Sequence, residues 1–324
     1  MDTRKNAIGQ GTRVLVTGSA GVIGRELLTG LSRRGANVLS IDRLPLPMAE
    51  PAGVTHVRLD LADADLGLAR SFGAELMFHL AAAFERSQET PEFFAPNWHD
   101  NMIVSHRLAE LAGAERSIRR VVFASSYLIY DPALYLSDAP RVAVGLREDA
   151  RVAPRNVCGA AKFYAERELD FVREARATPL ETVAARIYRV YGRGSRDVVS
   201  RWVRAALAGE AVDVYNPENR FDYVFAGDVA EALVRLAESD VASGIVNVGT
   251  GRGRSVAELI DAIAGHLPGI ARGRRDHGTT ERFESSCADT TRLRAATGWA
   301  PPTSIEDGVA QIVEYESARA RRVA

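Results

Sequence analysis

The segment Thr17-Gly18-Ser19-Ala20-Gly21-Val22-Ile23-Gly24 restricts the fold of this chain more than any other. It joins a short β-rich run, 13–17, to a helical stretch, 23–33. Glycines at such a junction permit a tight turn, close approach of the backbone to a ligand, and close packing of helix on strand. The start of the helix then offers unpaired N–H groups and the positive end of its dipole, a setting suited to anions. Downstream, strands read at 37–42, 54–59, 76–81, 121–125 and 181–187, with helices at 101–114 and 160–176. Strands separated by helices predict a mainly parallel sheet covered on both faces.

Beyond residue 188 the pattern loosens into a helix at 198–208, short strands near Val212 and Tyr223, a helix at 229–237, a strand at 245–248 and a helix at 256–266. An arginine-rich loop, 272–275, follows. The expectation is an α/β protein with a Rossmann-type, doubly wound parallel sheet and a smaller C-terminal α/β substrate domain. Residues 11–187 form the first domain, with 223–248 returning to it; 188–222 and 249–318 form the second, and 1–10 and 319–324 are flexible tails. A net charge of -1 argues against nucleic-acid binding, and two distant cysteines suit a reducing compartment rather than a disulfide framework. No segment reads as a signal peptide or a membrane span, so a cytoplasmic protein without membrane contact is expected. No metal site is expected.

Asp42 ends the strand after the glycine turn. A carboxylate there accepts hydrogen bonds from the adenosine ribose and repels a 2′-phosphate, which favours NAD over NADP; the adjacent Arg43 works against that preference. The turn has GxxGxxG spacing, and its position between strand and helix carries more weight than the glycines alone. A second signal lies in the basic residues. Of 41 Lys plus Arg, only Lys5 and Lys162 are lysine, and Lys162 sits in a helical segment where arginine would serve a solvated surface equally well. A compact ammonium fits where a planar guanidinium fork does not. One helical turn before it stands Cys158.

Taken with further motifs, the chain resembles an extended short-chain dehydrogenase/reductase of the NAD-dependent nucleotide-sugar epimerase/dehydratase family. Asp60-Leu61 is similar to the family's adenine-contacting pair and His79-Leu80-Ala81-Ala82 to its cofactor-lining turn, while Asn101 matches the Asn that opens the next long helix. Ser125-Ser126-Tyr127-Leu128-Ile129-Tyr130 resembles Ser-Ser-x-x-Val-Tyr, with Ser126 at the catalytic hydroxyl. Arg186 to Gly192, Asp222-Tyr223-Val224 with Asp228-Val229, Asn247-Val248-Gly249 and Gly298-Trp299-Ala300-Pro301 resemble later family blocks. The resemblance implies NAD bound by Gly18, Ala20, Gly21, Val22, Ile23, Gly24, Asp42, Arg43, Asp60, Leu61, Leu80, Ala81, Ala82, Asn101 and Lys162. It implies oxidation of a sugar hydroxyl, usually at C4, often with return of the hydride. It also implies a homodimer through helices 101–114 and 160–176.

One catalytic residue departs from the family's pattern. The tyrosine expected four residues before the lysine is Cys158, while Pro154, Gly159, Lys162 and Glu166 keep the register. A thiol has a reference pKa of about 8.5 against about 10 for tyrosine, and a neighbouring ammonium lowers it. Cys158 reads as a catalytic thiol, as a gap-filler in a re-routed site, or as an engineered replacement. Tyr127 is the other candidate acid/base, or else it packs under the sheet edge. The acidic pair of the family's 4,6-dehydratases is here Tyr127-Leu128. Arg189 replaces an Asn that contacts sugar or diphosphate, and Arg189, Arg220 and one of Arg274, Arg275 or Arg282 form a candidate substrate clamp. The leading expectation is an epimerase acting on a nucleotide-activated sugar. An atypical dehydratase, a net oxidoreductase on a polyol or carbonyl compound, and a non-catalytic NAD sensor are the alternatives.

Overall fold

The computed structural model describes residues 6–84, 90–214, 216–270, 272–274 and 282–323. Seven strands form its main sheet: β1 Arg13–Thr17, β2 Asn37–Asp42, β3 Val54–Arg58, β4 Leu76–His79, β5 Arg120–Ser126, β6 Glu181–Ile187 and β7 Gly244–Val248. Their spatial order is β7-β6-β5-β4-β1-β2-β3, and every pairing is parallel. The chain runs outward from β1 to β3, then crosses back to β4 on the other side of β1. That reversal opens a crevice above the C-terminal ends of β1 and β4, the usual ligand position in such sheets. This is the Rossmann-type α/β architecture expected from the alternation of strands and helices.

Strands buried on both faces need apolar residues throughout, and Val14, Leu15 and Val16 of β1 are fully buried. Helix α1, Val22–Arg33, covers one face through Leu27, Leu28 and Leu31. The other face is covered by α2, Val104–Ala114, and α3, Val157–Ala175, through Leu108, Leu111, Ala165 and Leu169. Helix α4, Ala226–Glu238, joins α1 on the first face with Leu233 and Leu236. A second core gathers Trp202, Phe221, Leu259, Ile263 and Val309 from the helices Val198–Leu207, Val256–His266 and Ile305–Val323 and from short strand segments.

Several expected boundaries shift. α3 begins at Val157 rather than 160 because the Asn156 side chain caps it, accepting from the Gly159 N–H at 2.8 Å. A π-helical turn, Trp98–Ile103, precedes α2. The stretch expected as an arginine-rich loop contains a strand, Arg272–Arg274, paired in parallel with Val212–Val214. Charged side chains do not prevent backbone pairing in a two-stranded ribbon, and they are common at strand edges. Of the stretches expected as flexible tails, residues 1–5 and 324 lie outside the described residues. Ile8 joins the main core and its N–H donates to Glu238, while 319–323 continue the last helix.

Candidate active site

The glycine turn follows β1 and packs against the segment after β4. Gly18 has φ of 74°, and a Cβ there would lie 2.5 Å from the Ala81 nitrogen. A Cβ on Gly24 would lie 2.4 Å from the Gly18 carbonyl, so that glycine serves packing of α1 on its own turn. Gly21 precedes α1 as its N-cap and supplies no side-chain cap, and the first turn holds no acid. The leading N–H groups of α1 therefore have no side-chain cap, which fits a pyrophosphate.

A cleft of about 460 Å³ opens there. The turn contributes Gly18, Ala20, Gly21 and Val22; Asp42 and Arg43 follow from β2, Asp60 and Leu61 come from beyond β3, and Leu80, Ala81 and Ala82 from beyond β4. Asp42 accepts from the Ala20 and Leu44 N–H groups at 3.0 and 2.9 Å, which ties the turn to the end of β2. The other four expected cofactor residues sit off this lining. Ile23 packs on the main core, and Gly24 lies under the turn. Asn101 accepts from the Ala83 N–H at 2.8 Å and donates to its carbonyl at 3.0 Å, while Lys162 donates to the Ala124 carbonyl at 2.8 Å.

Several contributors to the cleft lay outside the sequence reading, among them Arg25, Leu44, Pro47, Leu59 and Val104. Asp100 comes from the π-helical turn, and Gly194, Ser195 and Arg196 come from the segment after β6. The available signal for the latter was Gly192-Arg193-Gly194 directly after β6 and its short extension. Gly194 has φ of 63°, and a Cβ there would lie 2.9 Å from the Tyr315 hydroxyl.

Around the end of β5 the candidate catalytic groups gather. The Ser126 Oγ accepts from the Leu128 N–H at 3.2 Å and caps the short turn Tyr127–Ile129. A Cβ on Gly159 would lie 2.7 Å from the Leu128 carbonyl, so glycine lets α3 press against this turn. Lys162 is buried, with its ammonium 4.7 Å from the centroid of the Phe123 ring. Burial pulls its pKa down to about 8, opposed by Cys158 and Glu166 one turn to either side. Cys158 is only 3% exposed, with its Sγ 3.9 Å from the Ala83 carbonyl oxygen. Tyr164, two residues beyond Lys162, points outward and is exposed.

Tyr127 faces elsewhere. Its ring stacks on Tyr188 at 5.0 Å and its hydroxyl donates to Glu284 at 3.3 Å. Burial pushes its pKa well up. Glu284 also pairs with Arg155 and lies 3.7 Å from Arg189, whose guanidinium covers the Phe221 ring. The Tyr188 hydroxyl and the Ser285 Oγ are buried without a hydrogen-bond partner among the described residues. Two arginines of the expected clamp have acidic partners of their own. Arg220 pairs with Glu258 at 3.1 Å and Arg282 with Asp138 at 3.3 Å, while Arg189 and Arg155 lie beside Tyr127. Arg275 and the Arg274 side chain lie outside the described residues.

Asp60, Asp63 and His99 are the one group of potential metal ligands among the described residues. His99 hydrogen-bonds both Asp63 and Asp100, so its ring nitrogens already have partners. No helix among the described residues is long and apolar enough to cross a membrane.

Comparison with known proteins follows the same lines. The model of the family described as NAD dependent epimerase/dehydratase family matches residues 14–249. A UDP-glucose 4-epimerase of Mycolicibacterium smegmatis is 32% identical over 319 residues, spanning 94% of this chain and 98% of the relative. The solved structure of MoeE5 in complex with UDP-glucose and NAD is 31% identical, with a TM-score of 0.80 over 95% of this chain and 99% of that one. MoeE5 in complex with UDP-glucuronic acid and NAD matches at 30% identity and the same TM-score, over 96% and 100%.

Proposed function

The chain belongs to the NAD-dependent epimerase/dehydratase family, and from that premise we propose that it epimerises a UDP-activated sugar at C4, with Cys158 in the position of the family's usual tyrosine. NAD, when bound, supplies the hydride acceptor and donor. The residues lining the crevice fit that group: an uncapped helix N-terminus for the pyrophosphate and Asp42 for the ribose. Residues 188–222 and 249–318 serve as the substrate lobe.

The observation that carries the reading is the joining of β5 and α3. Ala124 accepts from Lys162, Ser125 donates to Glu166, and Ser126 lies at the strand's end. Ser126 orients the sugar hydroxyl, and Lys162 holds the nicotinamide ribose while its charge favours a thiolate at Cys158 one turn away. Cys158 suits proton transfer better than Tyr127, whose hydroxyl already donates to a carboxylate. The thiol is shorter than a phenol, and a bridging water spans the difference.

Arg155 and Arg189 outnumber Glu284 in charge, which suits an anionic group on the substrate. The face carrying Tyr164 and Phe171, seven residues apart on α3 and both exposed, serves a homodimer. Two free, buried cysteines suit a cytoplasmic setting. The activity is tested by incubating the chain with NAD and UDP-glucose or UDP-glucuronic acid and resolving C4 epimers by chromatography. Absence of an epimer from either sugar counts against the proposal.

A further inference from the structure

We propose that Asp100 sets the preference for NAD over NADP by pinning the guanidinium of Arg43. Arg43 directly follows Asp42, lines the same cleft, and its side chain is 54% exposed. A free guanidinium beside the adenosine ribose offers a planar fork of donors that matches a phosphate. Left unengaged, it would offset the repulsion that Asp42 exerts on a 2′-phosphate.

It is not unengaged. One Arg43 nitrogen donates to Asp100 Oδ1 at 2.9 Å and the other lies 2.8 Å from Oδ2, a two-pronged pairing that uses the fork. Asp100 is itself held in place, 12% exposed and hydrogen-bonded to His99 Nδ1 at 2.8 Å. The π-helical turn that carries it is anchored through the next residue, since Asn101 exchanges two hydrogen bonds with the Ala83 backbone. Asp42 is fixed as well, because its oxygens accept from Ala20 and Leu44. Two carboxylates from different elements thus act on one position: Asp42 repels the phosphate, and Asp100 withholds the cation that would receive it. Asp100 is a specificity-determining residue acting through Arg43.

The test measures dissociation constants of NAD⁺ and NADP⁺ by titration calorimetry for the full chain and for Asp100→Asn, Asp100→Ala, Arg43→Gln and Arg43→Gln/Asp100→Asn. Circular dichroism and melting curves establish that each variant is folded. The expected result is that the NADP⁺-to-NAD⁺ ratio of dissociation constants falls roughly tenfold in both Asp100 variants, the scale of one added charged hydrogen bond. With Arg43 already replaced, the second substitution should leave the ratio nearly unchanged. An unaltered ratio in the folded Asp100 variants overturns the proposal, as does an equal weakening of both cofactors. A tenfold fall that persists without Arg43 overturns the pinning mechanism, because the charge of Asp100 alone would then account for it.

Discussion

Glu166 on α3 receives two hydrogen bonds from Arg186 on β6, at 3.0 and 2.8 Å, with both side chains only 1% exposed. The same carboxylate accepts from Ser125 at 2.6 Å, next to the candidate catalytic serine. One ion pair therefore locks the helix bearing Cys158 and Lys162 to the strands beside it. Removing one partner of such a pair leaves a buried charge without compensation. Glu166→Gln should lower unfolding free energy by about 3 kcal/mol. Urea denaturation with an unchanged m-value reads this directly, and a loss below about 1 kcal/mol would mean water reaches the pair.

Lys162→Met should weaken NAD binding by roughly tenfold and remove turnover, because the ammonium lies one helical turn from the candidate acid/base. Calorimetric titration separates this from a folding defect. Wild-type affinity in the variant would show that the ammonium serves only the Ala124 carbonyl.

Cys158→Ala should reduce kcat by about a hundredfold or more, the usual range for loss of a positioned acid/base, while Tyr127→Phe should stay within a few-fold. Single-turnover rates with saturating substrate make the comparison. The reverse ranking would transfer the proton-accepting role to Tyr127.

Burial lowers the Lys162 pKa to about 8, so the folded chain loses this proton before the unfolded chain does. From there up to the reference value of about 10.4 the unfolded state binds more protons, and the contribution of this group to stability rises with pH. Below that window the full cost of burying the ammonium applies. The stability difference between wild type and Lys162→Met should accordingly shift in favour of wild type between pH 8 and 10, by at most about 1.4 kcal/mol per pH unit. Paired urea titrations across the range give the slope; a flat difference refutes the lowered value.

Phe171 is 69% exposed and Tyr164 47%. Phe171→Asp should convert a dimer to a monomer in light scattering, since a charge at the centre of an apolar interface must be desolvated to pair. A wild-type chain already monomeric at micromolar concentration would remove the dimer from consideration.

The order of strands and helices was legible because most strands of the main sheet are short, largely apolar runs bounded by turn residues, and because Asp42 lies at a strand end. The glycine turn lay open for the same reason: its chemistry is local. Asp100 was hidden, because its meaning depends on a contact with Arg43, 57 residues away in sequence. The Tyr127 environment was hidden too, since Glu284 reaches it from the far end of the chain. The arginines were ambiguous for a related reason. A guanidinium looks the same in sequence whether it meets a substrate or, like Arg220 and Arg282, a nearby acid.

The sheet also has a history in time. β6 pairs on its outer side with β7, which is synthesised only after part of the second core, Tyr191 to Phe225. While a ribosome is still making the intervening segment, the nascent β6 carries an open row of backbone donors and acceptors that another chain can bind. Protection of that edge on the way to the native state must come from speed, from a chaperone, or from transient cover by the unfinished intervening segment.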